Sequence, residues 1–194
     1  MNKFIILTAA TLTSLSAMSV DARTGLFSTA RFHTDLGGAE EVINTTVSGT
    51  VIPVIGLVTG AYGDAHIMVS PDRSMITYRL TVKYAATPPS PIFMAHIHLG
   101  PKGRNGPVLL WLFGDSSSNP AGTPLPRDDG PFTGEISGTL TAANLVPQPA
   151  LGINTFEDAI ANLLNGNTYV NVHTTVNPGG EVRGQVEKHS HFNF

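Results

Sequence analysis

His96 and His98, in Met94-Ala95-His96-Ile97-His98-Leu99-Gly100-Pro101, stand two residues apart in a segment that reads as a strand from Ile92 to Leu99. In an extended chain such residues share a face, with Cα atoms about 6.6 Å apart, so both imidazoles can converge on one ion. Neutral imidazole suits copper, zinc, iron or nickel. The 194 residues include no Cys, so a metal must be held by His, carboxylate or carbonyl groups, and an all-His site favours copper(II) or zinc. The same two histidines would alternatively serve as hydrogen-bonding residues that hold the Gly100-Pro101 corner in place.

A third histidine follows from strand register. Thr168 to Val176 and Glu181 to Glu187 flank Asn177-Pro178-Gly179-Gly180, a turn sequence, and read as a terminal hairpin. Val170, Val172 and Val176 share one face, and Val182, Gly184 and Val186 share another; both faces must meet the core. That requires cross-strand partners whose numbers have equal parity, which a symmetric four-residue turn does not give. A bulge residue restores it, most easily Gly180 at positive φ. His173 then faces away from the valines beside Tyr169 and Asn171, opposite Arg183 or Gln185. The candidate metal ligands are therefore His96, His98 and His173, with Arg183 and Gln185 in the surrounding layer.

The elements that must carry these residues are mostly strands. Period-two alternation is clearest from Met75 to Tyr84, and further strands read as Leu26 to His33, Val47 to Pro53, Val58 to Ser70, Pro107 to Phe113 and Phe132 to Leu140. Asp115 to Asp129 reads as an exposed loop. One helix is expected from Phe156 to Leu164, opened by a Thr155/Asp158 capping box and closed at Gly166. The expected fold is all-β, an antiparallel Greek-key sandwich or barrel with one short helix.

Residues 1–22 read as a secretory signal peptide, with Lys3, an apolar run from Phe4 to Met18 and a Val20-Asp21-Ala22 cleavage site. The run is too short for a membrane span. The domain is then 23–187 and a loose tail 188–194 carries His189 and His191. An exported chain is expected, secreted or periplasmic, and Asn44-Thr45-Thr46 is a glycosylation sequon in a eukaryotic host.

The net charge of -3 argues against general nucleic-acid binding, and a 13% charged fraction is about half the usual ~25%. There is no G-x-S-x-G motif, Walker loop or dinucleotide fingerprint. Gly100 to Gly106 reads as a tight connector. No acid/base constellation is apparent, which favours a non-catalytic module whose partner is an extracellular protein or small ligand.

Several motifs together resemble a known family: Ala95 to Pro101, Asn105-Gly106-Pro107-Val108, Gly138-Thr139-Leu140-Thr141 with Leu145, Asn165 to Thr174, and Asn177 to Val186. With Phe32 to Val42 as an opening strand ending in Glu41-Val42, they look like a CHRD domain over nearly all of the mature chain. Leu99 within the His-Gly-Pro step and the long Asp115 to Asp129 segment depart from the pattern. The resemblance implies an extracellular or periplasmic β module with a binding or scaffold role. A more distant similarity is to Cu/Zn superoxide dismutase. By that analogy His96, His98 and His173 would bind copper and Arg183 would lie at the mouth, giving a copper-dependent redox protein as the alternative function. Only His33 and His66 remain outside the tail for a dismutase zinc site, and there is no Cys.

Overall fold

The computed structural model describes residues 28–84, 91–114 and 134–188. The expected leader, the Asp115 to Asp129 loop and the tail histidines lie outside them. In chain order the strands are β1 (Ala30–Gly37), β2 (Val42–Val47), β3 (Thr50–Ile55), β4 (Ala61–Val69), β5 (Ile76–Tyr84), β6 (Ile92–Leu99), β7 (Val108–Gly114) and β8 (Gly134–Leu140). The helix α1 (Phe156–Leu164) precedes β9 (Thr168–Thr174), β10 (Val182–Gln185) and β11 (Glu187–Lys188).

One antiparallel sheet runs in the order β7-β6-β9-β10-β1-β4-β5-β8, with β11 continuing the pairing of β1. Its ends return into contact, since β7 touches β8, and Tyr78 Oη on β5 donates a hydrogen bond to the Leu112 carbonyl on β7. The result is a nearly closed barrel. Closure follows from alternation: Phe32 and Leu36, Ile76 and Leu80, Ile136 and Leu140, Val170 and Val172 all point inward and are buried. α1 lays Phe156, Ala159, Ile160 and Leu163 on this core. Its Thr155 side chain accepts from the Asp158 amide while Asp158 accepts from the Thr155 amide, the expected capping box.

Several sequence expectations shift. The first strand runs from Ala30, because its full pairing with β4 starts at Ala30↔Val69, and the fourth begins only at Ala61. Val47 to Pro53 is not one strand. It is split by a turn with positive φ at Ser48 and Gly49, which folds β2 onto β3 as a separate ribbon. The strand expected to reach Val176 stops at Thr174, and Val176 is 71% exposed instead of sharing the core with Val170 and Val172. The last strand breaks at Val186 into β10, which pairs with both β9 and β1, and β11, which pairs with β1. No helix among the described residues is long and apolar enough to cross a membrane.

Candidate metal centre

On β6, inward Ala95 and Ile97 alternate with outward His96 and His98; on β9, inward Val170 and Val172 alternate with outward Tyr169, Asn171 and His173. The two strands are direct neighbours, paired His96↔Asn171 and His98↔Tyr169, with Met94↔His173 one step further. The register of β9 with β10 has the equal parity that the valines demand, and Gly180 takes φ 137°. The register itself differs from expectation. Arg183 lies opposite Asn171 and Gln185 opposite Tyr169, so neither stands opposite His173. The loop consumes more residues than the sequence suggested: pairing begins only at Val182↔Val172, and the Glu181 amide donates to the Val172 carbonyl.

The structure brings His96, His98 and His173 together, with one ring nitrogen from each within 4.8 Å of the others. His98 Nδ1 donates to the Gly106 carbonyl at 2.9 Å, and His173 Nδ1 donates to the Pro178 carbonyl at 3.0 Å. A carbonyl can only accept, so each bond puts the proton on Nδ1 and leaves Nε2 with its lone pair. His173 Nε2 lies 3.2 Å from His96 Nδ1. His98 Nε2 is buried without a hydrogen-bond partner among the described residues, as is His96 Nε2. A buried lone pair left without a donor is costly, and a metal ion is one group that satisfies it. The 3.2 Å separation also matches the edge of a tetrahedron, ~3.3 Å when metal–nitrogen bonds are about 2.0–2.1 Å.

The surroundings keep the rings neutral. Burial, reinforced by His173 and His98, pushes His96 well below the ordinary histidine value. Burial likewise lowers His98 to about 4, against the Gly106 bond, with His173 and Arg183 adding to the shift. His173 is lowered by burial, partly offset by its bond to Pro178. Neutral imidazoles are the form that binds metals.

The layer around them explains the burial of an outward face. Trp111, paired with His96 on β7, sets its ring edge-on at 4.2 Å from the His96 ring. Tyr169 stacks on His98 at 4.8 Å. Arg183 is buried, with its guanidinium over Tyr169 and donating to the carbonyls of Pro101 and Arg104 and to Asn105 Oδ1. Gln185 donates to the carbonyls of Gly100 and Gly166. Both residues thus hold the 100–106 connector over the histidines; Arg183 does not stand open at a mouth. The connector fits only because Gly106 lacks a side chain: a Cβ there would lie 1.7 Å from the Leu99 carbonyl oxygen.

Sequence reasoning missed Trp111, Glu41 and Glu181. Glu41 accepts from Asn171, the residue between the outward Tyr169 and His173, and Glu181 accepts from Thr59, Thr174 and Asn177. Two buried carboxylates cannot be told from surface ones by composition. Trp111 sits in an apolar run with no alternation to mark its outward side.

A family model for the CHRD domain matches residues 32–186. No curated protein and no solved structure matches.

Proposed function

Because the chain belongs to the CHRD domain family, we propose that it acts as an exported, non-catalytic binding module holding one copper(II) or zinc ion through His96, His98 and His173. On this reading residues 1–22 are removed on export, 23–187 form the module, and 188–194 remain a tail. The observation that carries the metal assignment is the orphaned His98 Nε2, whose tautomer is set by Gly106 and which shares a buried cluster with two further imidazoles. The ligands on this reading are His98 Nε2, His173 Nε2 and one ring nitrogen of His96. Three protein nitrogens leave a position for water or a partner's donor group. The bonds of Arg183 to the 100–106 connector favour binding over the redox alternative, which needs that guanidinium free to attract an anion.

The test uses the single tryptophan. Copper(II) bound beside Trp111 quenches its fluorescence, so a titration of the full chain carrying H189A and H191A should show saturable quenching. His96→Ala, His98→Ala and His173→Ala should each weaken that quenching strongly while circular dichroism stays that of a β protein. Unchanged titrations in all three variants overturn the assignment.

A further inference from the structure

A second group of metal-binding side chains lies on the outer face of the barrel, on strands that contribute nothing to the three-histidine cluster. β1 and β4 pair antiparallel with His33 directly opposite His66 and Asp35 directly opposite Asp64. Cross-strand partners share a face, and so do residues two apart on one strand, so the four side chains form a square of two imidazoles and two carboxylates. The His33 and His66 rings lie 4.7 Å apart at 43°. One ring nitrogen from each and one Asp64 oxygen lie within 4.8 Å of one another.

We propose that His33, His66 and Asp64 form a second, solvent-accessible site for a divalent transition-metal ion such as zinc, with Asp35 beside it as a further oxygen donor. Two observations separate this from an ordinary surface ion pair. Asp64 Oδ2 is itself buried and has no hydrogen-bond partner among the described residues, although His66 Nε2 is only 3.2 Å away. The two atoms are close without being aligned as donor and acceptor, and their separation is that of two ligands on one tetrahedral ion, ~3.3 Å. The second observation is the ring packing: the His33 and His66 rings lie close enough for both to donate lone pairs to one cation.

The donor set is two nitrogens and one or two carboxylate oxygens with open positions, which suits zinc. The neighbourhood adds negative charge. Glu187 pairs with His33 on its other side, and Asp35 and Glu187 line the same cavity as His33. Two cations border the group: Arg79, opposite His66 and paired with Glu135 at 3.8 Å, and Arg31, which lines one cavity with His33 and His66 and donates to Met68 Sδ. Lys102 is likewise engaged, by Glu40.

Zinc bound per chain after equilibrium dialysis tests the proposal, using the full chain with H189A and H191A. The parent should retain two ions, His98→Ala should lose one, and His66→Ala and Asp64→Asn should each lose the other. Removing even a supporting group of a metal site costs about 10–100-fold in affinity, so a ligand variant should weaken zinc binding by about tenfold or more. Circular dichroism checks that the variants keep the fold. In His66→Ala the copper(II) quenching of Trp111 should be unchanged, which separates the two sites. A parent that holds a single zinc lost in His98→Ala, or His66→Ala and Asp64→Asn variants that bind as the parent does, overturns the second site.

Discussion

The guanidinium of Arg183 lies 3.4 Å from the ring centroid of Tyr169, and that ring in turn stacks on His98 at an interplanar angle of 11°. A buried cation thus reaches a candidate metal ligand through one aromatic ring. Cation–π attraction and three hydrogen bonds fix the guanidinium. The fixed ring limits the orientation of His98, and the nearby positive charge disfavours its protonation.

Arg183→Lys should therefore be far from conservative. A lysine cannot reproduce the fork to the Pro101 and Arg104 carbonyls and Asn105, and it leaves those acceptors unpaired. We expect a loss of about 2–3 kcal/mol in urea unfolding and a fall of about tenfold in copper(II) affinity as His98 loosens. A lysine variant as stable as the parent would show that the fork does not hold the connector.

Gly106 makes a sharper test of the connector. Its carbonyl sets the His98 tautomer and its amide donates to Tyr169 Oη at 3.0 Å. A methyl group there collides with backbone, which cannot rotate away. Gly106→Ala should cost about 2–3 kcal/mol, at the upper end of ordinary substitutions, and weaken the Trp111 quenching titration in parallel. Normal quenching in a destabilised variant would separate the connector from the site.

Much of this site was legible because a strand has a period of two. Parity alone placed His96 and His98 on one face and turned His173 away from Val172, and the β9–β10 register has the equal parity it required. What parity cannot give is which strands are neighbours or by how many residues a loop offsets them. For that reason Arg183 or Gln185 is expected opposite His173, and the two are found opposite Asn171 and Tyr169. The same limit hid the outer site: His33 and His66 are 33 positions apart and meet only through the β1–β4 register. The helix was legible to the residue because its signals, a capping box and an apolar stripe, are local.

That helix supplies a control. Thr155→Ala removes the side-chain acceptor for the Asp158 amide and should cost about 1 kcal/mol. α1 contributes no group to either histidine cluster, so metal stoichiometry should not change. A loss of metal in Thr155→Ala would mean that affinity merely tracks global stability, and the effects expected for Arg183 and Gly106 would lose their local meaning.

Glu41 sets a pH dependence whose sign is opposite to that of most carboxylates. Burial lifts its carboxyl to about 7, against the hydrogen bond from Asn171 and the attraction of Arg183. The folded state therefore holds a proton that the unfolded chain, at 4.5, has released. The resulting stabilisation is fully present below 4.5 and is lost as pH rises through about 7. Glu41→Gln keeps an acceptor for Asn171 but cannot ionise. Measured on metal-free protein in chelator, the stability of the variant relative to the parent should move in the variant's favour by about 3 kcal/mol between pH 4 and pH 8. The histidines contribute their own acid-side losses, but these are common to both proteins and cancel in the difference. A stability difference that is flat across this range would mean that Glu41 stays ionised when folded, and that Asn171 and Arg183 outweigh its burial.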